Sequence, residues 1–324
     1  MTDNQQSSAL APGTSPAAAG EGSMPIAFPK SGPVTLRTNL ANSALSRALK
    51  SGEIRSDIVS FDFCGPKQAH EGFKPMVREG KFDAGELAIV TYLQAMTYDK
   101  PLVMLPAVVM GRSQHHCILY GTGGGPLAPK DIEGRRIGIR SYTQTTGVWV
   151  RGILQHEYGV DPDRVTWVCT DDSHLAEHRD PPNVERLPAG SKLEQLLLDG
   201  RIDGAILGSD LPDEPRVRHL IPNPHQAARE WSRKYGLVPI NHLFVVDKAL
   251  SEARPDVVRE IYRLLSQSKK AAPAPAGGID PLPFGIENNR RALDMISAYT
   301  FEQKIVRRKF TVDELFDDTT RALA

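Results

Sequence analysis

Two stretches of this chain repeat one pattern. Val77-Arg78-Glu79-Gly80-Lys81-Phe82-Asp83 leads into the apolar run Leu87-Ala88-Ile89-Val90. Further along, Leu193, Leu196 and Leu197 mark a helix face, Gly200 stops it, and Arg201-Ile202-Asp203 leads into Ala205-Ile206-Leu207. Each stretch reads as helix end, glycine stop, basic residue, apolar residue, aspartate, then strand. Two copies of such a join predict two similar lobes, although a chance likeness between two ordinary helix-to-strand joints competes with that reading.

The flanking segments extend the pattern. Residues 34–37 alternate as a short strand, 43–49 suit a helix and 58–61 the next strand. After the glycine-rich turn at 121–125, residues 136–140 form a strand and 145–158 a helix, with Trp149/Ile153 and Val150/Leu154 at four-residue spacing and Gly159 as its stop. Residues 165–168 are again a strand. Strands alternating with helices predict an α/β chain: two mostly parallel sheets flanked by helices, with a ligand cleft between the lobes where the strand ends face each other. The expected division is a disordered tail over 1–33, the first lobe over 34–116, the second over 117–240, and a return to the first lobe with C-terminal helices over 241–324. Crossings fall near 112–122 and 238–243. Helices over 255–268 and 287–306, separated by a Pro- and Ala-rich linker at 271–278, are expected to pack on the first lobe.

With 40% hydrophobic and 24% charged residues the chain has the balance of an ordinary globular protein. No run approaches the roughly 18 apolar residues of a membrane-spanning helix. Lys plus Arg equals Asp plus Glu at 39 each, so no global field gathers nucleic acid or anionic membrane, and any anion site must be local. Cys64, Cys117 and Cys169 lack the spacing of a disulfide frame or zinc site and suit a reducing compartment. The opening run has neither a basic start nor an apolar block of signal-peptide length, so a cytoplasmic location is expected.

The best local signal is Ser141-Tyr142-Thr143-Gln144-Thr145-Thr146-Gly147, between a strand and a helix start, where free N–H groups and hydroxyls converge on an anion such as a carboxylate. Helix capping by Thr143 or Thr145 is the plainer alternative. At the first crossing, Arg112 suits a carboxylate. On an alternating strand only one of His115 and His116 can face the cleft. Glu86 stands where an apolar run begins; buried, its carboxyl would rise in pKa and stay protonated as a general acid. His242, between Asn241 and Leu243, can be aimed at the cleft from the second crossing, with a satisfied core histidine as the default. His174 follows Thr170-Asp171-Asp172-Ser173 and reads as an exposed turn residue. There is no phosphate loop, dinucleotide fingerprint or zinc-protease motif. No ligand spacing supports a metal at Glu86, a histidine and Asp210, and no cofactor is expected.

Taken in order, several segments resemble the 4,5-dihydroxyphthalate decarboxylase family, which has a type 2 periplasmic-binding-protein-like fold. They are Gly80-Lys81-Phe82-Asp83 through Glu86-Leu87; Arg112 with His116 and Tyr120; Gln144-Thr145 with Arg151-Gly152-Ile153-Leu154 and His156-Glu157-Tyr158-Gly159-Val160; and Leu187-Pro188-Ala189-Gly190. Phe284-Gly285-Ile286-Glu287-Asn288-Asn289-Arg290, Tyr299, Glu302-Gln303 and Val312-Asp313-Glu314-Leu315-Phe316 continue the series. The chain departs from the family pattern at His115, Tyr142 and Ser209-Asp210-Leu211-Pro212.

The resemblance implies a lyase, a decarboxylase of aromatic acids in aromatic compound catabolism and phthalate degradation. Direct loss of carbon dioxide from an aryl carboxylate leaves a poorly stabilised anion, so the ring carbon is better protonated first, with a para hydroxyl feeding charge toward it. Such a site needs a base, an acid and anchors. The expected assignment is His116 or His242 as base, Glu86 as acid, Arg112, Tyr142, Thr143, Gln144 and Thr145 at the substrate, and Arg290 as a weaker anchor. The expected partner is a small aromatic carboxylate, not nucleic acid or membrane, and a homo-oligomer is compatible with these features. The rival reading is a cytosolic binding protein or sensor that uses the same cleft without chemistry.

Overall fold

The computed structural model describes residues 28–188, 190–208, 213–274 and 278–323. Most of the predicted tail, and Asp210 with its neighbours, lie outside the described residues. The chain runs β1 (Val34–Asn39), α1 (Arg47–Lys50), β2 (Val59–Asp62), α2 (Phe73–Glu79), β3 (Ala84–Ala88), α3 (Ile89–Thr97) and β4 (Leu102–Gly111). It continues with β5 (Ile118–Gly121), β6 (Arg136–Ile139), α4 (Thr145–Tyr158), β7 (Thr166–Cys169), β8 (Val184–Arg186), α5 (Leu193–Leu198), β9 (Gly204–Ile206), β10 (Val217–His219) and α6 (Pro224–Tyr235). Then follow β11 (Ile240–Asp247), α7 (Lys248–Ala253), α8 (Pro255–Ala271), α9 (Ile286–Glu302) and α10 (Asp318–Arg321).

The strands form two mixed sheets, ordered β2-β1-β3-β11-β4 and β10-β5-β9-β6-β7-β8. In each sheet one strand runs against all the others: β11, antiparallel to β3 and β4, and β5, antiparallel to β9 and β10. These two strands are the ones that follow the crossings. A parallel neighbour needs a crossover connection, usually a helix; a strand arriving from the other sheet is free of that constraint.

The repeated join has a common structural basis. Gly80 and Gly200 are both left-handed, at φ 60° and 66°, which stops the preceding helix without a Cβ penalty. The aspartate that follows each pins its strand to the parallel neighbour. The Asp83 carboxylate accepts from the Arg37 backbone N–H at 2.8 Å, and the Asp203 carboxylate from the Arg136 backbone N–H at 3.0 Å. In return each aspartate N–H donates to the carbonyl of that same arginine, at 2.9 Å in both lobes.

Two segments differ from expectation. Ile89 and Val90 begin α3 instead of extending a strand. The C-terminal helices also divide: α8 packs on α1, β2 and β4, whereas α9 contacts α3 and α4 and so bridges the two lobes. Gly152 makes this bridge close, since a Cβ there would lie 2.2 Å from the Tyr299 ring. The largest apolar cluster accordingly runs through both lobes, from Phe73 and Leu87 to Trp149 and Tyr299.

Candidate active site

Between the sheets lies a cavity of about 740 Å³. Leu40 and Ala41 after β1, Glu86 and Ala88 on β3, and Val109, Met110 and Arg112 at the end of β4 reach it from one side, with Asn241 and His242 at the start of β11. Arg140 after β6, Gln144 to Thr146 at the start of α4, and Ile206 to Gly208 at the end of β9 reach it from the other. Because β11 is antiparallel, its first residues sit at the same edge as the last residues of its neighbours.

On the first wall Glu86 and His242 pair directly. His242 lies opposite Ala88 and Phe244 opposite Glu86, so Glu86 and His242 are diagonal neighbours on one face of adjacent strands. Glu86 Oε1 is 2.5 Å from His242 Nδ1, and Glu86 Oε2 accepts from the Ala41 N–H at 3.0 Å. Burial alone would push the Glu86 carboxyl up. The hydrogen bond and charge of His242, the Ala41 N–H and the nearby Lys50 charge outweigh it and hold the carboxyl below its ordinary range. Glu86 is therefore an ionised carboxylate, which corrects its expected role as a protonated acid. The bond at Nδ1 orients the imidazole, whose Nε2 has no hydrogen-bond partner among the described residues.

The second wall carries groups without partners. The N–H groups of Thr145, Thr146 and Gly147 make no hydrogen bond among the described residues, and neither does the Gln144 side chain, whose Oε1 is buried. Neither threonine caps α4, whose N-cap is Gln144. The Arg140 guanidinium makes no hydrogen bond among the described residues and only a loose 3.8 Å pair with Asp171. His174 lines the cavity, with Nδ1 2.7 Å from Thr91 Oγ1 and its ring edge-on to Phe73. This overturns its reading as an exposed turn residue.

Of the expected site residues, Glu86, Arg112, Gln144, Thr145 and His242 come together at the cavity. The others do not line it. His115 and His116 belong to a 3-10 turn, so strand alternation does not apply to them. His115 is buried against Trp231, and burial pushes it down to about 4. His116 Nε2 is 3.1 Å from Arg112 Nη1, so this imidazole stands behind the guanidinium. Tyr142 is buried under Arg151, 4.0 Å from its ring centre, and donates its hydroxyl to the Gln303 carbonyl. Thr143 bonds to Ser173 at 3.1 Å. Arg290 is committed to Glu287 and Asp313 at 2.6 and 3.0 Å.

Sequence reasoning missed Arg140, His70, Asn241 and His174 as lining residues. Arg140 ends a predicted strand just before the Ser141–Gly147 segment, which was a usable signal; His70 offered none. Among the described residues no group of three or more His, Cys, Asp and Glu side chains is placed to hold a metal ion. No helix there is long and apolar enough to cross a membrane.

A two-lobed α/β architecture of the periplasmic-binding-protein type, with a polar cavity between its lobes, is the class this fold defines. It is similar to the alkanesulfonate-binding protein SsuA from Xanthomonas axonopodis pv. citri, with a TM-score of 0.58 at 12% identity over 89% of this chain and 99% of that one. The periplasmic aliphatic sulphonate binding protein SsuA from Escherichia coli gives a TM-score of 0.56 at 11% identity, over 88% and 97%. No family model matches the chain. Its sequence is 29% identical over 245 residues to a 4,5-dihydroxyphthalate decarboxylase from Comamonas testosteroni, covering 70% of this chain and 72% of the relative. It is 27% identical over 213 residues to one from Pseudomonas putida, covering 62% and 82%. The chain is thus similar over most of its length to two proteins named 4,5-dihydroxyphthalate decarboxylase.

Proposed function

We propose that this protein is a carboxy-lyase that removes one carboxyl group from a hydroxylated, phthalate-like aromatic acid in the cavity between its lobes. The kinship with two 4,5-dihydroxyphthalate decarboxylases supports the reaction class. The observation that carries the mechanism is the buried Glu86 carboxylate at 2.5 Å from His242 Nδ1 in a cavity whose other wall holds free donors.

In this reading Arg112, Gln144 and the N–H groups at the start of α4 hold the carboxylates, helped by the positive end of the helix dipole. His242 Nε2 delivers a proton to the ring carbon that bears the departing carboxylate. Glu86 stabilises the imidazolium through which that proton passes. The carbon–carbon bond to the carboxylate then breaks, its electron pair restores the aromatic ring, carbon dioxide leaves, and His242 regains a proton from water.

Incubating the protein with a panel of hydroxylated benzene carboxylates that includes 4,5-dihydroxyphthalate, and measuring carbon dioxide, tests the reading. Repeated turnover is expected with at least one of them. Stoichiometric binding without release would replace the lyase by a binding protein.

A further inference from the structure

Delivery of a proton by His242 accounts for only one end of the substrate. A hydroxyl para to the departing carboxylate lies across the ring from the carbon that is protonated, out of reach of the same imidazole. We propose that His174, with Arg140 beside it, holds that ring oxygen and steadies the charge passing through it. This proposal rests on the decarboxylase reading above.

Three observations carry it. His174 and Arg140 share one end of the cavity, where both also line an adjoining pocket of about 190 Å³. The only hydrogen bond of the Thr91 hydroxyl among the described residues is with His174 Nδ1, at 2.7 Å. A hydroxyl with no other acceptor donates, so Nδ1 accepts and the imidazole carries its proton on Nε2. Nε2 has no protein partner among the described residues and is not among the buried unpaired atoms, which leaves it open to the cavity. Burial, with the charges of Arg140, Lys74, His242 and Arg78, pushes His174 down to about 3, so it stays neutral and acts as a donor.

The step balances without a proton passing to His174. The hydroxyl first loses its proton to water. As the ring carbon takes a proton from His242, the oxygen's charge flows into the ring and the oxygen becomes a carbonyl. When carbon dioxide leaves, the pair returns, and the phenolate regains its proton from water. Nε2–H and the Arg140 guanidinium donate to that oxygen throughout.

Calorimetric binding of 4,5-dihydroxyphthalate and of phthalate, with carbon dioxide release, tests this in wild type, His174→Ala, His174→Gln and Thr91→Val. For His174→Ala we expect affinity for the dihydroxy acid to fall about tenfold and kcat about 10²–10³-fold, with phthalate affinity held within about twofold. His174→Gln, which restores an N–H donor near the same place, should recover part of both. Thr91→Val, which frees the tautomer, should lower kcat about tenfold and leave phthalate binding unchanged. Equal weakening of both acids by His174→Ala, or kcat within about twofold of wild type, overturns the proposal. If wild type releases no carbon dioxide while His174→Ala still separates the two acids, the decarboxylase reading fails and the hydroxyl contact stands.

Discussion

On the first-lobe wall Glu86 uses both carboxylate oxygens inside the protein, one on Ala41 and one on His242, whereas on the second-lobe wall the side chains of Arg140 and Gln144 and the first N–H groups of α4 have no hydrogen-bond partners among the described residues. The carboxylate of the first wall is satisfied without a ligand. The second wall leaves polar groups unsatisfied, at about 1–3 kcal/mol for each buried one, so it is stabilised by whatever polar ligand or water fills the cleft. In the proposed function the first lobe holds the reactive pair and the second supplies donors that grip the ligand. The grip is assembled across the lobes: Arg78 of α2 donates to the His174 and Ser173 carbonyls at 2.7 and 2.6 Å, and Ser173 donates to Gln94 of α3 at 3.2 Å.

Breaking the reactive pair should have the largest effect. His242→Gln is expected to lower kcat about 10²–10⁴-fold while ligand binding, followed by calorimetry, stays measurable. Glu86→Gln should cost kcat less, about 10²-fold, because the imidazole keeps a hydrogen bond but loses the opposing charge.

For the groups proposed to hold the carboxylates, which include Arg112 beside the pair on the first wall, the expected effect moves from kcat to KM. Arg112→Gln removes a charge-assisted contact of about 1.5–3 kcal/mol, so KM should rise roughly 10–150-fold with a smaller change in kcat. A fall in kcat alone would place Arg112 with the reactive pair.

The pair also predicts a pH dependence of stability. The folded Glu86 carboxyl lies below its ordinary value of 4.5, so its contribution is fully present above about pH 4.5 and is lost as pH falls through the lower folded value. The difference in thermal stability between wild type and Glu86→Gln should therefore be flat at neutral pH and shrink in acid. The smallest effect is expected at Asp172, half-exposed and paired with Lys74 and Arg78 of the other lobe. Asp172→Ala should change stability by about 1 kcal/mol or less, and that change should vanish at high salt.

Much of the framework was legible because it is local. The left-handed glycines, the aspartates after them and the 145–158 helix all depend on neighbours a few residues away or one strand over. β4 was harder to read: Pro106 interrupts an apolar run with no alternation, and it is accommodated because β4 is an edge strand. His116 and Arg290 were plausible by residue type, yet Arg112 covers the first and two carboxylates occupy the second.

By itself the sequence determined that there would be two lobes, that a polar helix entrance at 143–145 would face an acidic residue at Glu86, and, through its resemblance to a family, that an aromatic acid was the ligand to consider. Only the tertiary structure decided the protonation state of Glu86, because its partner His242 lies 156 residues away and the balance between burial and that hydrogen bond exists only once β3 and β11 pair. The same holds for His174. Its loop looks exposed in sequence, and it becomes part of the cavity because α2 and α3 of the opposite lobe hold it there.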